Sequence, residues 1–167
     1  MSFDLFYMSS HWGNEPVDQK NPWTGEVHVA KPRLPMTPDE LSAVAGLLSA
    51  AAPKGPDAHN CYVVEFPDGG GAEVFASNLS EGFMVAIRRR LSPAFLEFLF
   101  RLMKVGNLLM CPEMEDDVTV GASERSFDEA PDDWPNRIVC NSAEELGLLL
   151  SNGFDAWKHY RDEVFGR

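Results

Sequence analysis

The sequence predicts an α+β fold, an antiparallel-rich sheet with helices on one face. Three observations point there. The first is the stretch Glu81 to Pro112, which reads as strand, helix, strand with a start and stop for each. The second is a pair of short apolar runs flanking Pro67-Asp68-Gly69-Gly70, a hairpin signal. The third is the order of elements, in which strands come in runs between helices rather than alternating strictly with them.

Gly82 to Arg88 is apolar with β-branched members and reads as a buried strand. Ser92 is the expected N-cap of the next helix, with Pro93 at the first helical position. Gly106 is the expected left-handed residue closing that helix. Within Ala94 to Val105 only Glu97, Arg101 and Lys104 are charged, and their spacing makes one narrow polar stripe. Such a helix is deeply buried or meets another surface, and Phe98, Leu99 and Leu102 are expected in the core. Leu108 to Cys111 is the following strand.

In chain order, Phe3 to Met8 is a first strand, and Ser9 to Met36 is irregular except for a short strand at Glu26 to Ala30. Thr37-Pro38-Asp39-Glu40 is a capping box opening a helix that ends near Pro53. Strands follow at 61–66, 71–76 and 82–88. A short strand at Val118 to Val120 is expected inside the acidic stretch 113–136, and another at Arg137 to Cys140. Ser142-Ala-Glu-Glu145 is a second capping box. Asn152-Gly153 is expected to break the last helical region into two. The pattern is a ferredoxin-like core, β-α-β-β-β-α-β, with a C-terminal β-α-α extension. The length, 167 residues, fits a single domain with 113–136 as an acidic insert or linker within it.

Net charge is −12, and nine acidic residues against one basic residue place −8 of it within residues 113–135. A chain so charged lacks the basic footprint of a nucleic-acid binder. No signal peptide or membrane span is evident, and Cys61, Cys111 and Cys140 read as reduced core thiols, so a cytoplasmic protein is expected.

Candidate chemistry is sparse. His59 and Cys61 share one face of a strand, with Asp57 nearby, as a thiol nucleophile and its base would. The plainer reading is a small core cysteine preceded by a loop histidine. His11, Glu15 and Asp18 fall close together in the first loop, but the four histidines show no metal-ligand spacing, and no metal or cofactor is expected. Asp68-Gly-Gly-Gly71 lacks the helix and lysine of a phosphate loop. Of Arg88, Arg89 and Arg90, one is expected to pair with a local carboxylate and two to be solvated.

The acidic segment is more informative. Asp116 and Asp117 lie in one cluster, and Asp128, Asp132 and Asp133 in another beside Trp134. Acids around a tryptophan are suited to steering and anchoring a basic protein partner. Trp12 and Trp23 in the first loop are candidates for the same surface, against the alternative that both fold over the sheet. A homodimer is compatible with these features. The opening Phe3-Asp-Leu-Phe-Tyr-Met8 and the passage Arg101 to Pro112 resemble small uncharacterised bacterial α+β proteins. Some proteins of that kind act as immunity-type inhibitors of polymorphic toxins. The resemblance implies a non-catalytic protein-binding module, with a small enzyme using His59 and Cys61, or the loop 9–36, as the alternative.

Overall fold

The structure is a computed structural model that describes residues 2–21, 23–113, 118–132 and 136–165, with the backbone alone for Arg161 and Phe165. Strands β1 (Phe3–Ser9), β2 (Val17–Lys20) and β3 (Val27–Ala30) precede helix α1 (Pro38–Ala51). Then come β4 (Cys61–Glu65), β5 (Gly71–Phe75), β6 (Gly82–Ile87), helix α2 (Pro93–Gly106), β7 (Leu108–Pro112) and β8 (Thr119–Gly121). A single 3-10 turn at Glu124–Phe127, β9 (Arg137–Val139) and helix α3 (Ala143–Phe165) complete the order. The class is α+β, as expected.

Seven strands form one sheet in the order β4-β5-β6-β1-β7-β8-β9, antiparallel apart from the β8–β9 pair. β1 lies between β6 and β7 and runs antiparallel to both. β6 and β7 are therefore parallel to each other, with α2 as their crossover. Among the described residues β2 and β3 pair only with each other, as a separate two-stranded arm.

The alternation of β1 decides where the core lies. Phe3, Leu5 and Tyr7 are buried on one side, while Phe6 on the other is 44% exposed. Tyr7 stacks on Phe83 at 4.8 Å and donates its hydroxyl to the Leu99 carbonyl of α2 at 3.3 Å. Burial pushes the Tyr7 phenol well above its ordinary titration range, so it stays a neutral donor. Phe3 meets Phe154 of α3 edge-on at 5.8 Å. Phe95, Phe98, Leu99 and Leu102 of α2 are buried in the same core, including the three expected there.

Four local expectations are corrected. Ser92 does not cap α2 with its own oxygen. Its hydroxyl donates to Asp68 Oδ1 at 2.6 Å, and Asp68 Oδ2 accepts the Ala94 amide at 2.9 Å. The cap thus comes from the β4–β5 hairpin, and these bonds, the one from Ser92 foremost, hold the Asp68 carboxyl below its usual range. The left-handed residue closing α2 is Asn107 at φ 45°, not Gly106, which lies within the helix. At Gly106 a Cβ would lie 2.6 Å from Val44 Cγ2 of α1, so the close approach of α1 and α2 favours a bare Cα there. α3 runs unbroken through Asn152-Gly153, so the extension is β-α rather than β-α-α. An interior glycine costs a helix about 1 kcal/mol, and the packing of Phe154 on Phe3 and Trp157 offsets that. Finally, two arginines of the triplet pair, Arg88 with Glu73 and Arg89 with Glu65, both at exposed positions where ion pairs add little.

Two outcomes follow for stability. Phe95→Ala removes a fully buried ring and should lower unfolding free energy by about 3–5 kcal/mol, with the urea slope unchanged. Asp68→Ala should destabilise the chain near neutral pH. Because the Asp68 carboxyl is depressed in the folded state, its stabilisation is complete above the ordinary aspartate range and is lost as pH falls through the folded value. The difference between variant and wild type in urea titrations should therefore shrink in acid.

Candidate interaction surface

The chain leaves β1 at Ser9 and enters the arm through a short ladder. The Gly13 amide donates to the Pro32 carbonyl and the Leu34 amide to the His11 carbonyl, each at 2.8 Å, and Trp12 bridges to Arg33. A Cβ at Gly13 would lie 2.8 Å from Pro32 Cγ, so the two sides of this root are in tight contact. Beyond the root, β2 and β3 are joined by a turn in which Asn21 Oδ1 accepts the Trp23 and Thr24 amides at 2.8 and 3.1 Å. Gly25 supplies the positive φ, 74°, that closes it. β2 was not foreseen, because Val-Asp-Gln-Lys has one apolar residue and no alternation to read.

The arm is an apolar projection. Trp23 at its tip is 92% exposed, and Val17, Val27 and Val29 along it are exposed as well. Cross-strand register sets Val27 opposite Lys20, Val29 opposite Asp18 and Val17 opposite Ala30. Val27 and Val29 share one face of the ribbon and Val17 lies on the other, so apolar side chains are exposed on both faces.

The two loop tryptophans therefore part company. Trp12 is buried at the root, with the Arg33 guanidinium 4.9 Å over its ring. Trp23 does not fold over the sheet.

The acidic segment meets this root. Glu129 Oε2 accepts the Trp12 amide at 3.0 Å, and Glu129 Oε1 lies 3.5 Å from His11 Nδ1. On its other side His11 Nε2 lies 2.8 Å from Glu40 Oε2, which also accepts the Thr37 amide in the capping box of α1. Partial burial disfavours charge on His11, but hydrogen bonds and attraction from Glu40, then Glu129, outweigh it and hold the imidazole above its ordinary range. Glu40 is depressed by its bonds from Thr37 and His11, although burial opposes this.

Glu15 and Asp18, which fall near His11 in the sequence, are exposed, as solvated loop residues would be. The partners that sequence reasoning missed are 29 and 118 residues away, and only Glu40 was signalled, as a capping residue. Asp128 and Asp132 are exposed beside Glu129, while Phe127 is buried and carries Arg137 over its ring at 5.7 Å. Asp116, Asp117, Asp133 and Trp134 lie outside the described residues. Among the described residues, no group of His, Cys and carboxylates is arranged to hold a metal ion, and no helix is long and apolar enough to cross a membrane.

The His59–Cys61 pair is placed differently. Asp57 Oδ1 accepts the backbone amides of both, at 2.8 and 2.9 Å, so the carboxylate builds the turn entering β4. Burial, then the Asp57 charge, raise the Cys61 thiol, which is the opposite of nucleophile activation. A cleft of about 550 Å³ adjoins it, lined by Pro53, Lys54, Pro56, Asp57, Cys61 and Val63. Cys61, Cys111 and Cys140 form no disulfide with one another.

No protein-family model, curated protein or solved structure matches the chain.

The raised Cys61 thiol has a direct readout. Alkylation by iodoacetamide, followed at Cys61 by peptide mass spectrometry, should show a pH midpoint above the 9.0 of an ordinary thiol. A midpoint near neutrality would mark an activated nucleophile.

Proposed function

We propose that the chain is a non-catalytic protein-binding module whose partner is a basic protein. The observation that carries this reading is Trp23, 92% exposed at the tip of an arm with exposed valines and rooted beside an acidic segment. A tryptophan held out at the turn of a hydrogen-bonded ribbon offers large contact area with little side-chain entropy to lose, and such residues dominate binding energy when a partner encloses them. The net −8 of residues 113–135 supplies a field that attracts a basic surface and decays over about 10 Å at 0.1 M salt. Acidic steering thus acts on the encounter rate, and the arm on the lifetime of the complex.

Within this reading the frame is a ferredoxin-like core with β4 added at its edge and the helices on one face. Support comes from the antiparallel placement of β1 between β6 and β7 and from the contacts of Phe3 and Tyr7 with α3 and α2. The specific role we propose is an immunity-type inhibitor, held in the cytoplasm, of a basic effector such as a secreted nuclease toxin. Its support is the sequence resemblance together with the sign and position of the charge.

Affinity capture from the source cell with wild-type protein as bait should enrich one basic protein. Trp23→Ala should weaken that complex by about 2 kcal/mol or more, expressed as faster dissociation. Neutralising Asp116, Asp117, Asp128, Asp132 and Asp133 to Asn should slow association and flatten its salt dependence. Equal capture by wild type and Trp23→Ala, or a partner of acidic character, would contradict the proposal.

A further inference from the structure

His11 stands between two carboxylates contributed by different parts of the chain. Nε2 faces Glu40 Oε2 of α1 at 2.8 Å, and Nδ1 faces Glu129 Oε1, just after the 3-10 turn, at 3.5 Å. The third packed segment, residues 32–34, gives a backbone bond from Leu34 to the His11 carbonyl, and its charged member, Arg33, lies over the Trp12 ring. A neutral imidazole has one N–H and one lone pair, and only the imidazolium donates from both nitrogens. Both ring nitrogens here point at carboxylate oxygens, so the arrangement is satisfied only by the charged ring.

We propose that His11 is a pH-operated latch that ties the acidic segment to the root of the arm. The proton that stays on deprotonation is the one on Nε2, because Glu40 is nearer and is fixed in place by its capping bond from Thr37. The lone pair then exposed on Nδ1 faces the Glu129 carboxylate and repels it. Glu129 is half-exposed, 50% against 18% for Glu40, and is the partner free to move away. The Trp12 amide remains its tether, so the segment loosens without detaching.

The sign follows from the raised His11 pKa. The latch is fully formed below the unfolded histidine value, provided that the carboxylates are ionised, and is lost as pH rises through the higher folded value. Opening removes a positive charge beside the acidic segment and unmasks Glu129. On the partner reading above, on which this last step alone rests, capture of a basic protein therefore quickens as pH rises.

The latch can be tested without any partner. Side-chain NMR of the full chain should give His11 a titration midpoint above 6.5, and Glu129→Gln should lower it toward that value. Amide exchange, corrected for intrinsic rates, should show protection at Trp12 and Ala130 falling about twofold to fivefold between about pH 5.5 and pH 8, the scale of ion pairs of this exposure. His11→Gln should abolish that pH dependence. A His11 midpoint at or below 6.5, a midpoint unmoved by Glu129→Gln, or the same exchange profile in His11→Gln would overturn the latch. None of these results bears on whether Trp23 anchors a partner.

Discussion

β1 fills the gap between β6 and β7, and most of the structure depends on that insertion. β6 and β7 belong to one crossover unit but are not hydrogen-bonded neighbours in the sheet. Each pairs on one edge with β1, whose partner residues lie 74 to 107 positions earlier in the chain. Loop closure over such spans is costly in entropy, so the strand must bring strong contacts of its own. It does so through Phe3, Leu5 and Tyr7, which pack toward α2, α3 and Phe83, and through a close fit at Gly82, where a Cβ would sit 2.2 Å from the Tyr7 carbonyl oxygen. The outermost strands, β4 and β9, pair in the sheet with β5 and β8 respectively.

The same strand fixes the root of the proposed interaction surface. β1 ends at Ser9, and two residues later His11 and Trp12 sit against the first turn of α1 and the end of the 3-10 turn. The arm therefore springs from the central strand of the sheet, and its root is shared with the acidic segment through Glu129. Rigidity at the root and exposure at the tip are complementary. A projecting tryptophan contributes to binding only if its scaffold is already ordered, since ordering it on contact would consume much of the gain. Electrostatic reach and apolar contact are thus placed side by side by one structural junction.

How much of this was legible in the sequence follows from the range of each interaction. The β6-α2-β7 unit, the capping box of Thr37 and Glu40 and the hairpin at Asp68 depend on neighbours a few residues apart, and pattern reading found them. Both bonds of that capping box are present, at 2.8 and 3.3 Å. The cap of α2 was misassigned because its acceptor, Asp68, is 26 residues from the amide that it satisfies. The break expected at Asn152-Gly153 follows from propensity alone, and rings packed at Phe154 override it. Trp23, Asp128 and Asp132 were named as candidates from residue type alone. The role of His11 was not, since Glu129 is 118 residues distant and nothing local marks it.

Site-specific photo-crosslinking in the source cell tests the placement of the interaction surface most directly. A photoreactive phenylalanine analogue at position 23 would be compared with one at position 148, where Leu148 is 70% exposed on α3, far along the chain from the arm. A basic protein joined through position 23 and not through position 148 is the predicted result. The same partner joined through position 148, with none through position 23, would contradict the claim that the arm is where this protein meets its partner.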